Sequence, residues 1–195
     1  MQQLEFLLEE RSMEEVLKVL LPKILPAQWQ LYQNVFLRVH EGKSDLQRSI
    51  PRKIRTYAHM PHPVAVIVLH DQDAGDCREL KNHLLDLCQQ PGVNVPYLIR
   101  IVCRELEAWY LGDMEAIERA YPHFRANRYK NKAKFRNPDS CNAKDELRKI
   151  LPELQQIGSA QAIAPHLNTS ANSSDSFKQF VQGLSSFLQQ FEDAA

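Results

Sequence analysis

Val64-Ala65-Val66-Ile67-Val68-Leu69 runs directly into His70-Asp71-Gln72-Asp73-Ala74-Gly75-Asp76. The first six residues are apolar without interruption and rich in β-branched side chains, with Pro61 and Pro63 just before them. Such a run suits a central parallel strand covered on both faces. The acids that follow then sit at the strand's C-terminal end. In open α/β sheets that is the edge where ligands bind.

The flanking sequence repeats the pattern. Leu4 to Leu8 is a short apolar run suited to a buried strand. Ser12, with Glu15 three residues on, reads as a capping box ahead of Val16, Leu17, Leu20, Leu21 and Ile24, which predicts a helix over 13–25. Pro22 inside it predicts a kink or an early end. Leu31 to His40 has strand character, with Val35, Leu37 and Val39 alternating against Phe36 and Arg38. Gly42 breaks it, and Ser44 is placed to cap a helix carrying Leu46, Ile50, Ile54 and Tyr57, which Pro51 weakens. Leu80, Leu84, Leu85 and Leu87 predict a helix ended by Pro91-Gly92. Tyr97 to Cys103 gives a fourth strand, and Leu106 to Ala120 a further helix. Alternating strands and helices imply parallel pairing with right-handed crossovers, hence an α/β domain.

Beyond residue 120 the character changes. Residues 121–141 read as a basic loop and 143–155 as a helix. A loop around Asn168–Ser174 precedes a last helix built on Phe177, Phe180, Val181, Leu184, Phe187, Leu188 and Phe191. The expectation is a single domain: an α/β core over 1–120, with the basic loop and a helical extension over 121–195 packing on it. The last helix is suited either to pack on the domain or to form a homodimer contact.

The 195 residues are 44% hydrophobic and 25% charged, with 24 basic and 24 acidic side chains, which excludes wholesale disorder. No run of about 18 apolar residues exists, so a membrane-spanning helix is excluded. The opening residues lack the positive flank and cleavage site of a secretory signal. Cys77, Cys88, Cys103 and Cys141 form no C-x-x-C pair. Reduced thiols and a cytoplasmic location are the expectation. The seven histidines show no zinc spacing, and neither a Walker A motif nor a G-x-G-x-x-G occurs. Cys103 is assigned to the core, and Trp109 and Tyr110 to packing.

The acids are positioned informatively. Glu9 and Glu10 follow the first strand, Asp71 and Asp73 the third, and Glu105 and Glu107 the fourth. In a parallel sheet all three groups share one edge. Carboxylates gathered there repel and raise one another's pKa, and a divalent cation with oxygen ligands relieves the repulsion. The bland reading of each group is a helix cap or a solvated loop acid, and Asp76 is read as a helix N-terminal acid. Glu9 and Glu10 are not separable on sequence alone.

Arg119 to Arg136 carries Arg125, Arg128, Lys130, Lys132, Lys134 and Arg136 with no acid, interleaved with Tyr121, Phe124, Tyr129 and Phe135. Two readings stand. The cations and exposed aromatics bind a nucleic-acid backbone and unpaired bases, or the loop is solvated with its aromatics tucked into the core. Lys43 is likewise either a phosphate contact or a solvated lysine.

Phe6-Leu7-Leu8-Glu9-Glu10-Arg11-Ser12-Met13-Glu14, Leu69-His70-Asp71-Gln72-Asp73 and Arg104-Glu105-Leu106-Glu107-Ala108-Trp109-Tyr110-Leu111-Gly112-Asp113 together resemble the Toprim-like domain of unknown function family 4276. Gly42-Lys43-Ser44-Asp45-Leu46 and Asn172-Ser173-Ser174-Asp175-Ser176-Phe177 extend the resemblance over nearly the whole chain. It implies a Toprim-like parallel four-stranded sheet flanked by helices. It also implies that Glu9 serves in acid/base chemistry and that Asp71 and Asp73 bind Mg²⁺, with Glu107, and Glu105 beside it, added to the metal site as in OLD-type nucleases. Where the wider superfamily often has Gly after the catalytic glutamate, this chain has Glu10. The activity implied is Mg²⁺-dependent phosphodiester cleavage in DNA or RNA, with Mn²⁺ as a substitute and a separate ABC-type ATPase as partner in anti-phage defence.

Two rivals accompany that expectation. A phosphatase or phosphotransferase would use Asp71 as nucleophile, but the haloacid-dehalogenase pattern places x-T after D-x-D, whereas Ala74 and Gly75 stand here. A non-catalytic interaction subunit would keep the scaffold and bind a partner protein.

Overall fold

The computed structural model describes residues 2–194. Four strands form one fully parallel sheet: β1 (Gln3–Leu8), β2 (Val35–Val39), β3 (Val64–Asp71) and β4 (Tyr97–Val102), in the order β2-β1-β3-β4. The crossovers are α1 (Arg11–Ile24), α2 (Lys43–Tyr57) and α3 (Cys77–Gln89). After β4 come α4 (Glu107–Leu111), α5 (Met114–Ala120), α6 (Ala143–Ile150), α7 (Gln156–Ile163) and α8 (Asp175–Asp193).

Every residue of β3 is buried, because helices cover both faces of the central sheet. Ala65, Ile67 and Leu69 join Phe6, Leu8, Leu17, Trp109 and Phe177 on one side. Val66 and Val68 join Leu7, Leu46, Ile50 and Leu84 on the other. Each fully buried aliphatic side chain contributes about 1.5–3 kcal/mol, so this strand anchors both layers.

Several boundaries differ from the sequence reading, each for a local reason. Glu10, not Ser12, is the N-cap residue of α1, and the Ser12 hydroxyl inside the first turn donates to the Glu10 carboxylate. Gly42, at φ 86°, starts α2, so Ser44 lies within the helix. Pro51 does not end that helix. β2 is confined to Val35–Val39, and its alternation fails at Val39, 38% exposed on the open edge strand. The helix expected over 106–120 is two helices, because the Asp113 side chain accepts from the Ala116 N–H and starts α5. Leu151-Pro152 closes α6 early, and α7 was not expected at all.

α8 packs on β4 and the core through Phe177, Phe180, Leu184, Leu188 and Phe191. Trp109 is its main partner, with ring centroids 5.1 Å from Phe177 and 5.2 Å from Phe180. The basic segment is shaped by short turns at Ala126–Arg128, Ala133–Phe135 and Pro138–Ser140. Phe124 and Phe135 are buried, and Tyr129 stacks on Phe124 at 5.2 Å. Phe124 and Phe135 are core residues with Tyr129 packed against them, which selects the tucked-in reading of these aromatics over the exposed stacking one. Among the described residues, no helix is long and apolar enough to cross a membrane.

Candidate functional site

Strand register brings the acids to one rim. Leu8 pairs with Leu69, so Glu9 and Glu10 leave β1 level with the last residues of β3, and Asp71 pairs with Val102 at the end of β4. Glu107 opens α4 five residues further on. The gathering is closed by direct contacts. The Asp71 N–H donates to Glu9 Oε2 at 3.0 Å, and buried His70 places Nδ1 2.9 Å from the same oxygen and 2.6 Å from its neighbour's carbonyl, Asp71 O.

Asp71 lies at the centre. It is 7% exposed, and its Oδ1 is buried with no hydrogen-bond partner. Burial, then the charges of Glu9, Glu10, Glu107 and Asp73, push its carboxyl well above the usual aspartate range. Burial raises Glu107 too, helped by Glu105 and Glu10 and opposed by Lys144. The sequence reading did not single out Lys144, which enters from α6. Burial alone would lower its pKa, but Glu107, Glu105 and Glu10 raise it, and its Nζ lies 3.5 Å from Glu105 Oε1. Nothing in the spacing of residues 143–150 marks a lysine for this position. His70 is also perturbed: burial lowers it, while the hydrogen bond and charge of Glu9 raise it overall.

The remaining expected residues fall as follows. Glu10 accepts from Ser12 and from Gln156 of α7, while its charge acts on Asp71 and Glu107. Asp73 ion-pairs with Lys43 at 3.1 Å. In the basic segment Lys130 pairs with Glu115 at 2.8 Å, Lys134 pairs with Glu146, and Lys132 lies 4.8 Å over the Tyr129 ring. The Arg125 guanidinium donates to the carbonyls of Pro122 and Phe124. Arg128 and Arg136 stand exposed. Most of these cations are therefore engaged by the protein itself. Cys103 is half-buried just past β4, and burial pushes its thiol up to about 11, which keeps it protonated and unreactive near neutrality.

Two residues at the rim hold left-handed backbone, Asp73 at φ 56° and Arg104 at φ 61°, joined by the Asp73 N–H donating to Arg104 O at 2.8 Å. With Ala74, Glu105 and Asn142 they line a cavity of about 220 Å³. Aspartate tolerates this region, whereas arginine pays about 1 kcal/mol. Arg104→Gly relieves that strain but loosens the unfolded chain, so a net gain of about 0.5 kcal/mol is expected in urea denaturation.

The donor set is carboxylate oxygen throughout, which suits a hard divalent cation such as Mg²⁺ or Mn²⁺. The orphaned Asp71 Oδ1 fits such an ion. Against this, among the described residues no three His, Cys, Asp or Glu side chains are grouped closely enough to hold an ion as they stand. Asp73 is turned to Lys43 and Glu9 to His70. Rotation of Asp73 or Glu107 toward Asp71 is what coordination would require.

A family model, Domain of unknown function (DUF4276), matches residues 8–185, most of the chain. The chain belongs to that family. No curated protein and no solved structure matches it.

Proposed function

We propose that this member of the DUF4276 family is a Toprim-type, Mg²⁺-dependent phosphodiesterase acting on the backbone of nucleic acid. The observation that carries this reading is the unpartnered, buried Asp71 carboxylate oxygen amid the charges of Glu9, Glu10, Glu107 and Asp73. Such an arrangement is costly in itself and is offset by a cation.

Asp71, Asp73 and Glu107 are the residues to hold the ion, with Glu105 at its margin. When bound, Mg²⁺ supplies charge stabilisation on the phosphate and a more acidic water. The chain's own groups do the rest. Glu9 is fixed through Oε2 by the Asp71 N–H and His70, an orientation suited to taking a proton at its other oxygen. Glu10 is tied to the start of α1, which favours Glu9 for that role. Lys43, paired with Asp73, and Lys144, beside Glu105, are suited to bind non-bridging phosphate oxygens. Arg128 and Arg136 are exposed and suited to contact the backbone of DNA or RNA. Free thiols on all four cysteines fit a reducing compartment such as the cytoplasm. A separate ABC-type ATPase partner follows from the OLD resemblance alone.

The test is direct. Mn²⁺ is expected to raise the melting temperature of the wild-type protein in a saturable manner, and Mg²⁺ to support nicking of plasmid or single-stranded substrates that Glu9→Gln loses without unfolding. A second reading, a non-catalytic interaction subunit, is favoured by one observation: Lys43, His70 and Lys144 already compensate the acids. A melting temperature indifferent to Mn²⁺ and Mg²⁺, with no nicking, would select it.

A further inference from the structure

Tyr110 is fully enclosed, 2% exposed, yet its hydroxyl has no hydrogen-bond partner. Buried phenols nearly always find one, since an unmet hydroxyl forfeits its hydration. Among the described residues the buried side-chain polar atoms in this condition are Asp71 Oδ1, Arg100 Nε and Tyr110 Oη. The charge of Asp71 acts on the Tyr110 phenol, which ties two of the three together. Tyr110 lies three residues after Glu107 on α4, the spacing that puts side chains on a common helix face. Burial and then the charges of Glu107, Glu10 and Asp71 push its phenol far up, so the hydroxyl keeps its proton as a donor. Its neighbour Trp109 faces away, packing on Phe177 and Phe180 and donating from Nε1 to Ser176.

We propose that Tyr110 is a positioning residue for a hydrated divalent cation on Asp71 and Glu107, its hydroxyl donating to the cation's water shell. This rests on the reading of the acids as a cation site. The two orphaned atoms are complementary: Asp71 Oδ1 has a lone pair to offer a cation, and Tyr110 Oη has a hydrogen to offer an oxygen. A phenol that keeps its proton does not ligate the ion directly. It fixes the orientation of an ion-bound oxygen, a contribution of the outer-shell kind that commonly changes metal affinity by about 10- to 100-fold.

Tyr110→Phe keeps the ring and its packing and removes the oxygen alone. Three measurements separate the possibilities: the melting temperature without added metal, the Mn²⁺ dissociation constant by calorimetry, and the Mn²⁺-induced rise in melting temperature. The expected result is an unchanged or higher melting temperature without metal and a Mn²⁺ affinity weaker by about tenfold or more. Equal Mn²⁺ affinity in the variant and the wild-type protein overturns the assignment. So does a lower melting temperature without metal combined with equal affinity, which makes the hydroxyl purely structural. Failure of the wild-type protein itself to bind Mn²⁺ defeats the cation reading beneath it, and the two failures are thereby distinguished. Tyr110→Leu, which keeps an apolar filler but loses the ring, should weaken stability and Mn²⁺ affinity together. If Tyr110→Phe keeps wild-type Mn²⁺ affinity while Tyr110→Leu loses it, packing is the whole of the residue's role and the proposal falls.

Discussion

Gly112→Ala is expected to cost about 3 kcal/mol of folding stability, from overpacking and from buried hydrogen bonds lost together. Backbone conformation is not the reason, since Gly112 sits at φ −69°, open to any residue. The reason is space. A Cβ there would lie 2.0 Å from Asn172 Oδ1 and 2.8 Å from the Ser174 backbone nitrogen. Asn172 cannot step aside freely, because its Nδ2 donates to Trp109 O at 2.8 Å and its Oδ1 accepts from the Ser174 N–H at 2.9 Å. Ser174 in turn caps α8 by accepting from the Phe177 N–H, and Ser173 donates twice to the Gly112 carbonyl. For a chain of this length the melting temperature should fall by roughly 6–12 °C. Gly158→Ala, in the first turn of α7 with a nearest contact of 3.5 Å, serves as control and should gain slightly. Asn172→Ala alone should also destabilise, and the double variant should lose less than the sum, since the two changes remove the same contact. Strict additivity would show that the strap from Asn172 to Ser176 does not act through Gly112.

What could be read beforehand followed from local patterns. The Val64–Leu69 run required burial on both faces, and the four-strand parallel sheet follows from that and from the short crossovers. The rim of acids was legible because strand ends are visible in sequence and a parallel sheet puts equivalent ends together. The last helix after the Asn168–Ser174 loop likewise follows from a polar run ahead of a spaced apolar face, while its cap at Ser174 is seen only in the fold. What escaped was set by distant contacts. By composition the Tyr121–Phe135 aromatics stand between a nucleic-acid surface and a tucked-in core, and only the fold shows Phe124 and Phe135 buried. Lys144 belongs to a helix whose exposed face is full of charges, and only folding shows that one of them points at Glu105 and Glu107. α7 is built of small residues with little apolar periodicity, so packing against α1 rather than pattern makes it helical.

Replacing the central carboxylate with its amide should move stability and cation binding in opposite directions. Asp71→Asn is expected to stabilise the protein without metal at pH 7 by about 1–2 kcal/mol, because the amide carries no charge to be buried beside Glu9, Glu10, Glu107 and Asp73. The sign follows from linkage. The folded-state carboxyl is pushed well above the ordinary aspartate value of about 3.9, so above that value the folded protein holds this proton more tightly than the unfolded chain. Wild-type stability is therefore lost as pH rises from about 3.9 through the folded-state value, and the amide, which does not titrate, escapes that loss. The advantage of Asp71→Asn should shrink toward zero as pH falls to about 4, which urea denaturation across pH 4–8 would trace. With Mn²⁺ present the order should reverse: the wild-type protein gains stability by mass action while the variant gains little, and Mg²⁺-dependent nicking falls by at least about 100-fold. A group kept at a cost to folding, and repaid only through a ligand, is what a functional carboxylate must be. If Asp71→Asn instead proves less stable at pH 7 and binds Mn²⁺ as well as the wild-type protein does, the buried aspartate is a structural acceptor. The convergence of acids at this rim would then be a matter of packing and not of chemistry.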